Sequence, residues 1–228
     1  MTVVNLISNT GILDMTARAR GRPPLNNSEV IADVTLLEAV LQSFGENGFD
    51  GCSVREIARG LKVSHNLIPQ RFGSKERLWY AAIDHGFGRL QQDLIRDAQA
   101  LGNDELLVLR GLITSFIEIN ALHPYLLQII NQEASQPGPR FDYLFDHYIK
   151  PVRDFGDVWL ARLQQEGRIA PITVTLLYFL MTHGAGGIFA LPALTTRLGD
   201  VTLERDPTVI RAQADNAVNV IFDGLLPR

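Results

Sequence analysis

The chain has 228 residues, of which 46% are hydrophobic and 20% are charged, and its formal net charge is −4 at pH 7. This apolar fraction excludes an intrinsically disordered protein and allows either one large domain or a small domain followed by a larger one. The single cysteine, Cys52, excludes an intramolecular disulfide framework and gives no indication of an oxidising compartment.

The charge is distributed unevenly along the chain. Residues 17–80 carry nine Lys and Arg against seven Asp and Glu, whereas the rest carries twelve against eighteen. Three arginines, Arg18, Arg20 and Arg22, follow one another with no acidic residue between them. Such an arm fits a nucleic-acid partner and a solvated tail equally well, so it needs support from other features.

The beginning of the chain lacks the basic region and long apolar stretch of a signal peptide. Residues 1–14 contain no basic residue, so we expect residues 1–16 to be a disordered extension and Met15 to be an alternative translation start. The longest apolar stretch, 176–194, is interrupted by His183 and by glycines and prolines. It predicts a buried helix and no membrane span, and the expected location is cytoplasmic.

Helical periodicity dominates the sequence, and no segment alternates polar and apolar residues as a strand does. The prediction is an all-α fold of about nine helices. The expected helices cover residues 28–44, 53–59, 65–71, 75–99, 106–117, 123–134, 140–166, 172–191 and 207–224.

Capping residues and helix breakers set these boundaries. Ser53 and Ser64 are expected N-caps, and Glu56 completes a capping box with Ser53. Gly45 and the Asn47-Gly48 pair are expected to end the first helix. Pro151 is expected to kink or divide the helix over 140–166. Residues 195–206 are expected to form a loop.

Two short capped helices joined by the turn 61–63 and packed on a longer helix fit a helix-turn-helix. In this motif the first short helix crosses the DNA backbone, and the second projects side chains into the major groove.

The residues match a known pattern in detail. The segment FGENGFDGCSVREIA at 44–58, the pair Val63-Ser64 and the segment FGSKE at 72–76 closely resemble the signature of the tetracycline-repressor (TetR) family. The detailed resemblance covers residues 28–79, and the rest agrees only in length and helical pattern. It implies a homodimeric repressor that binds a palindromic operator and is released by a small, mainly apolar molecule. A DNA-binding activator or nucleoid factor is the alternative.

The resemblance also implies roles for individual residues. Ser53 and Lys75 would contact phosphates, the arginine arm would enter the minor groove or follow the backbone, and the third helix would face base edges. The residues of that helix and its start are Ser64, His65, Asn66, Leu67, Gln70 and, at the flank, Arg71. His65 is equally compatible with a phosphate contact. Pro69 departs from the family, which usually has an aromatic residue there, and it predicts a very short or shifted helix.

Residues 17–74 are therefore predicted to be the DNA-binding domain, and residues 75–228 a helical domain for ligand binding and dimerisation. In the family, the last two long helices pair with those of a second copy, which here would be about 172–191 and 207–224. A pocket is expected between the central helices. Its candidate lining residues, equally compatible with an ordinary core, are Phe116, Tyr125, Phe141, Tyr143, His147, Trp159, Tyr178 and His183.

An enzyme is the less favoured class. The segment HGAGG at 183–187 faintly resembles the oxyanion segment of lipases, but the sequence has no Gly-x-Ser-x-Gly elbow and no preceding strand. Nucleotide-binding loops are also lacking, and the spacing of Glu133, His147 and His183 does not support a metal site. The expectation is no enzyme activity, no cofactor and no metal.

Overall fold

The computed structural model describes residues 27–199 and 206–227, and every regular element in these ranges is helical. In chain order the helices are α1 (Asn27–Gly51), α2 (Val54–Gly60), α3 (Leu67–Phe72), α4 (Lys75–Ala100), α5 (Glu105–Leu122), α6 (Tyr125–Ser135), α7 (Pro139–Leu144), α8 (Lys150–Gln165), α9 (Val174–Phe179), α10 (Gly187–Ala190), α11 (Pro192–Leu198) and α12 (Pro207–Leu225). Two π-helical segments, Phe145–Ile149 and Leu180–Ala185, follow α7 and α9. The predicted all-α fold is confirmed.

Side-chain caps begin several of these helices, and the cap at Ser53 is one that the sequence predicts. Ser53 Oγ accepts the Glu56 N–H at the start of α2. The Asp104 carboxylate accepts two backbone N–H groups at the start of α5, and Asp206 does the same before α12. Each cap satisfies N–H groups that have no partner within the helix, which fixes where the helix begins.

α1 continues to Gly51, past the expected end at Phe44. Gly45 lies inside the helix, at the place where α6 crosses α1. A side chain does not fit at this crossing, because a Cβ on Gly45 would lie 2.5 Å from Tyr125 Cβ. The helix is broken at Gly48, with φ 71° and ψ 173°, which confirms the expectation that the Asn47-Gly48 pair interrupts it. The prediction that Gly45 ends α1 is wrong, because glycine at this position permits a helix crossing rather than a turn.

The helix around Pro151 departs from α geometry at the expected place. Phe145–Ile149 winds as a π-helix, and the Lys150 N–H donates to the Phe145 carbonyl five residues earlier. Proline has no N–H for the helix ladder, and its ring displaces the carbonyl four residues before it. The wider turn directly before Pro151 accommodates the ring without breaking the helix.

The segment expected to be a loop over 195–206 begins as a helix. α11 starts with Pro192 in its first turn, where proline costs no hydrogen bond, and ends at Gly199 with φ 82°. Thr195 is buried, and its hydroxyl donates to the Ile188 carbonyl at 2.7 Å. The prediction missed α11 because its sequence has too few apolar positions to show a helical period. Residues 200–205 lie outside the described ranges.

The buried side chains form two cores. The first core contains buried residues of the four helices α1, α2, α3 and α4, together with Leu126 and Ile129 of α6 and Leu144 of α7. The second core consists mainly of α5, α8 and α12, with Trp159 among its largest side chains. α4 enters both, with Trp79 and neighbouring residues in the first and Ala98 in the second. The packing therefore joins α6 and α7 to the helices of the predicted 17–74 domain.

Among the described residues, no single helix is both long and apolar enough to span a membrane. α5 and α6 meet that criterion only as a pair, and the two are bent by 89°.

Candidate nucleic-acid interface

A groove of about 950 Å³ lies between α2, α3 and the beginning of α4. Four of its lining residues are cationic at neutral pH, and none of the lining residues is acidic. The lining consists of Val54, Arg55, Arg59, Lys62, Val63, His65, Asn66, Ile68, Pro69, Gly73, Ser74 and Lys75. A concave surface of one charge sign concentrates ligands of the opposite sign, here polyanions such as nucleic acid.

Two arginines of α2 supply half of the charge in the groove. Arg55 and Arg59 are four residues apart and exposed, while Ile57 and Ala58 of the same helix are buried. Within the described residues neither arginine has an ion-pair partner, so both charges remain available to a ligand. The sequence analysis missed both, although their spacing on the polar side of a short amphipathic helix is a recognisable signal.

The turn after α2 holds a lysine in the left-handed region. Lys62 has φ 56°, its N–H donates to the Arg59 carbonyl, and the Val63 N–H donates to the Ala58 carbonyl at 3.0 Å. These two bonds form a Schellman motif, whose left-handed position is usually glycine. A lysine there costs about 1 kcal/mol relative to glycine. Its retention beside the groove fits a role for the side chain, because strained residues cluster at functional sites.

We predict opposite effects of Lys62→Gly on stability and on DNA affinity. Glycine relieves the left-handed backbone, so the free energy of unfolding rises by about 0.5 kcal/mol. Loss of the ammonium group lowers DNA affinity several-fold and reduces the salt dependence by about one phosphate contact. Urea denaturation and fluorescence anisotropy measure the two effects. Lys62→Ala is the matched control, because it loses the charge but keeps the strain. A stability gain with alanine would contradict this explanation.

α3 begins at Leu67 and not at residue 65, and Ser64 does not cap it. The Ser64 hydroxyl accepts the Asn66 N–H in a preceding turn, and the Ser64 carbonyl accepts the Leu67 N–H. The first hydrogen bond of the helix runs from the Gln70 N–H to the Asn66 carbonyl. Pro69 therefore lies in the first turn, where its missing N–H costs nothing. The expectation of a very short helix is confirmed, and the predicted start at residue 65 is wrong.

The other residues expected to contact DNA lie in different surroundings. Four of them are exposed, namely Ser64, His65, Asn66 and Gln70. Leu67 is half-buried beside the fully buried Ile68. Arg71 is largely buried, and its guanidinium is ion-paired with Asp33 of α1. This placement gives Arg71 a role in holding α3 against α1. Arg18, Arg20 and Arg22 lie outside the described residues.

Lys75, the first residue of α4, is held at the edge of the groove. Its ammonium lies 4.8 Å from the centre of the Phe49 ring and 3.4 Å from the Asp50 carbonyl oxygen. Ser74 caps α4 by accepting the Arg77 N–H at 3.1 Å. The positive end of a helix of 26 residues and the ammonium therefore face the same place, which favours an anion.

The residues expected to line a ligand site are dispersed. Tyr125 lines a crevice of about 10 Å³ between α1, α4 and α6, enough for about one water molecule. Its hydroxyl donates to Glu38 and lies 2.6 Å from His123 Nδ1. Tyr143 donates to Asp84, and its ring stacks on His147 at 4.1 Å.

The remaining five expected ligand residues also differ in burial. Phe116 and Phe141 are half-buried, and Trp159 is in the second core with 3% of its surface exposed. Burial raises the pKa of Tyr178 to about 12. His183 is exposed, with its ring near Phe179. The structure thus places only Trp159 of these eight fully within a core.

Two buried donors in the described part of the chain have no hydrogen-bond partner. They are Nε1 of Trp159 and Nε2 of Gln91, which lies on α4 between the portions that enter the two cores. Leaving a buried donor unsatisfied costs about 1–3 kcal/mol, so each such group calls for a partner, whether a water molecule or a bound ligand. Sequence analysis missed Gln91, because a polar residue on a long helix is ordinarily exposed.

The described residues contain no group of three or more His, Cys, Asp and Glu side chains able to hold a metal ion. His147 stacks on Tyr143, and Glu133 is ion-paired with Arg140. The His183 ring contacts its neighbour Thr182, with Nδ1 at 2.8 Å from the hydroxyl oxygen.

Residues 36–82 match the family model described as bacterial regulatory proteins, tetR family. This match covers α2, α3, the groove and the adjoining parts of α1 and α4. The HTH-type transcriptional repressor Rv3405c of Mycobacterium tuberculosis is 36% identical over 84 residues, which cover 37% of this chain and 44% of the relative. The chain thus matches less than half the length of that relative.

Two solved structures share the fold over most of the chain. The ketosteroid transcriptional regulator KstR2 of Mycobacterium tuberculosis has a TM-score of 0.65 and 22% identity, covering 90% of this chain and 98% of that one. AibR, solved with isovaleryl coenzyme A and operator DNA, has a TM-score of 0.65 and 19% identity, covering 82% and 96%. The helix-turn-helix domain at residues 36–82 is thus a domain of the tetR family of bacterial regulatory proteins, and the helical fold of the chain is shared with solved transcription regulators.

Proposed function

We propose that the chain is a ligand-responsive transcription regulator, acting as a repressor, that binds operator DNA as a homodimer. The observation that carries the proposal is the groove of four cations between paired short helices, with the polar residues at the start of α3 exposed beside it. The family of the domain and the repressor function of Rv3405c support it.

DNA contacts divide by chemistry. Arg55, Arg59 and Lys75 bind phosphates, with Ser53 at the edge, and these contacts provide affinity without sequence preference. Asn66 and Gln70 face base edges, where an amide pairs with adenine in a bidentate manner. His65 contacts either a phosphate or a base edge, and the proposed role of Arg18, Arg20 and Arg22, which lie outside the described residues, is to bind the adjacent minor groove or the backbone.

A second copy of the chain completes the proposed regulator. An apolar seam, defined by Leu176, Phe179 and Leu180, lies at helical spacing and is 39–53% exposed. Val220 of α12 is 78% exposed. Exposed apolar surfaces of this kind mark protein interfaces. Pairing through α9 and α12 presents two α3 helices, and successive major grooves require them to be about 34 Å apart.

The proposed effector binds among α4, α5 and α8, next to the second core. Two buried donors, Gln91 Nε2 and Trp159 Nε1, have no acceptor within the ranges that the structure describes, and Trp159 lies in the apolar second core. A mainly apolar molecule with a carbonyl or carboxylate meets both conditions. The acyl end of the isovaleryl coenzyme A bound by AibR, a short branched chain joined to a carbonyl, has this character, whereas its coenzyme A part is polyanionic.

Release of DNA follows from a population shift. The effector must bind the DNA-incompetent spacing of the dimer more tightly than the competent one, because equal affinity changes nothing. α4 transmits the change, since its first residue, Lys75, borders the groove and Gln91 of the same helix lies between the cores.

The experiment is anisotropy with labelled duplexes from the protein's own locus, at 50–200 mM salt. With about six to ten phosphate contacts, affinity should fall by at least about 10³-fold over that range. Sedimentation measures the mass of the protein in solution, and therefore its oligomeric state. A thermal-shift screen of acyl thioesters identifies effector candidates as compounds that raise the melting temperature. Failure to bind any duplex at low salt, or a monomeric mass at micromolar concentration, contradicts the proposal.

A further inference from the structure

The end of α1 carries an aromatic ring that two cations share. Phe49 follows the break at Gly48, and its ring lies parallel to Phe44, with centroids 5.8 Å apart. Lys75 Nζ lies 4.8 Å from the centre of the Phe49 ring, and Arg140 Cζ lies 4.0 Å from it. A cation within about 6 Å of a ring face is attracted by the ring quadrupole, so both contacts are favourable.

Arg140 belongs to a different helix and lies at the beginning of α7. Its Nε donates to both oxygens of Glu133 on α6, at 2.9 and 3.1 Å. The Glu133 side chain is only 7% exposed, so its charge depends on this partner. The guanidinium plane thus has a fixed position above Phe49.

α6 also holds the last turns of α1 directly. Gln132 Nε2 donates to the Gly45 carbonyl at 2.7 Å, close to where α6 crosses α1. The corner of α6 and α7 and the end of α1 therefore form one packed unit. Lys75 rests on that unit through Phe49 and Asp50.

We propose that Arg140 is a positioning residue for Lys75: through Phe49 it fixes the ammonium group at the groove, so that movement of α7 changes a phosphate contact. This route reaches the groove from α6 and α7, separately from the body of α4. The inference rests on the proposed function, because it assigns a second path for its regulation.

The test uses variants of the ring and of the ion pair. Phe49→Leu keeps an apolar side chain and the Arg140–Glu133 pair but removes both cation contacts. The double variant Arg140→Met with Glu133→Leu removes the guanidinium without leaving a buried charge. Arg140→Lys keeps the charge but loses the flat guanidinium on the ring.

Phe49→Leu and the double variant are each expected to weaken operator binding about tenfold and to lower the slope of log Kd against log salt by about one contact. In either background, Lys75→Met should then add little, because coupled residues are not additive. Arg140→Lys should give an intermediate loss. Circular dichroism and thermal melting establish that each variant is folded.

Two results overturn the inference. One is an unchanged salt slope in folded Phe49→Leu protein. The other is a full effect of Lys75→Met in the Phe49→Leu or double-variant background, which would make Arg140 merely structural. If a double variant fails to fold, Phe49→Leu and Arg140→Lys decide the question. Absence of DNA binding by the unmodified protein is a different result, since it contradicts the proposed function itself.

Discussion

Replacing both Arg55 and Arg59 by methionine should lower DNA affinity about hundredfold at 100 mM salt and reduce the salt slope by about two. Both side chains are exposed, line the groove and have no ion-pair partner among the described residues. Methionine preserves the length and helix propensity of the side chain, so α2 keeps its fold. Anisotropy titrations at several salt concentrations measure both quantities.

A matched variant separates local contact from overall charge. Lys150→Met with Arg153→Met removes the same two charges from α8, where both residues are exposed and paired with Asp154. Charges far from the groove are screened within about 10 Å at 0.1 M salt, so this variant should bind DNA almost normally. Equal losses in the two double variants would contradict a specific role for the groove.

Local sequence signals determined most of the helices. Ser53 and Asp104 cap the helices that follow them, and apolar residues recur at helical spacing along α4 and α5. Both signals involve residues close together in the chain, so they can be recognised from the sequence alone. Gly45 and Ser64 misled the prediction because their roles depend on partners. Gly45 is required by the crossing of α6, and the Ser64 hydroxyl is taken by a turn before α3.

The candidate sites depend still more on tertiary contacts. The groove was predictable in position, because family residues mark it, but the pairing of Arg71 with Asp33 requires α1 and α3 to meet. Gln91 and Trp159 are notable only because both are buried without partners. The aromatic residues expected to line one pocket share no periodicity, which is why the sequence could not separate core from ligand contact.

Glu38 links α1 to two of the helices that follow. Its carboxylate accepts hydrogen bonds from Tyr125 and from Arg89, and it lies 3.1 Å from His85 Nε2. The hydrogen bond to His85, opposed by burial and aided by Tyr125, lowers the pKa of Glu38 to about 2. Three partners from α4 and α6 thus meet on one side chain of α1.

Glu38→Gln should reduce the free energy of unfolding at pH 7 by about 1–2 kcal/mol, because the amide keeps one acceptor but loses the charge. The sign with pH follows from the lowered pKa. The Glu38 contribution is complete above pH 4.5, its ordinary pKa, and is lost as pH falls through about 2. The difference between wild type and variant should therefore shrink across that window. Urea denaturation at pH 7, 4 and 2.5 measures it.

Glu46→Gln is the control for Glu38→Gln, since it makes the same chemical change on an exposed position of α1. Glu46 accepts a hydrogen bond from Gln42 four residues earlier and contacts no other helix through its carboxylate in the described structure. Exposed substitutions of this kind change stability by less than about 0.5 kcal/mol. If both variants lose the same stability, or if the Glu38→Gln difference persists at pH 2.5, the carboxylate of Glu38 does not hold α1 against α4 and α6.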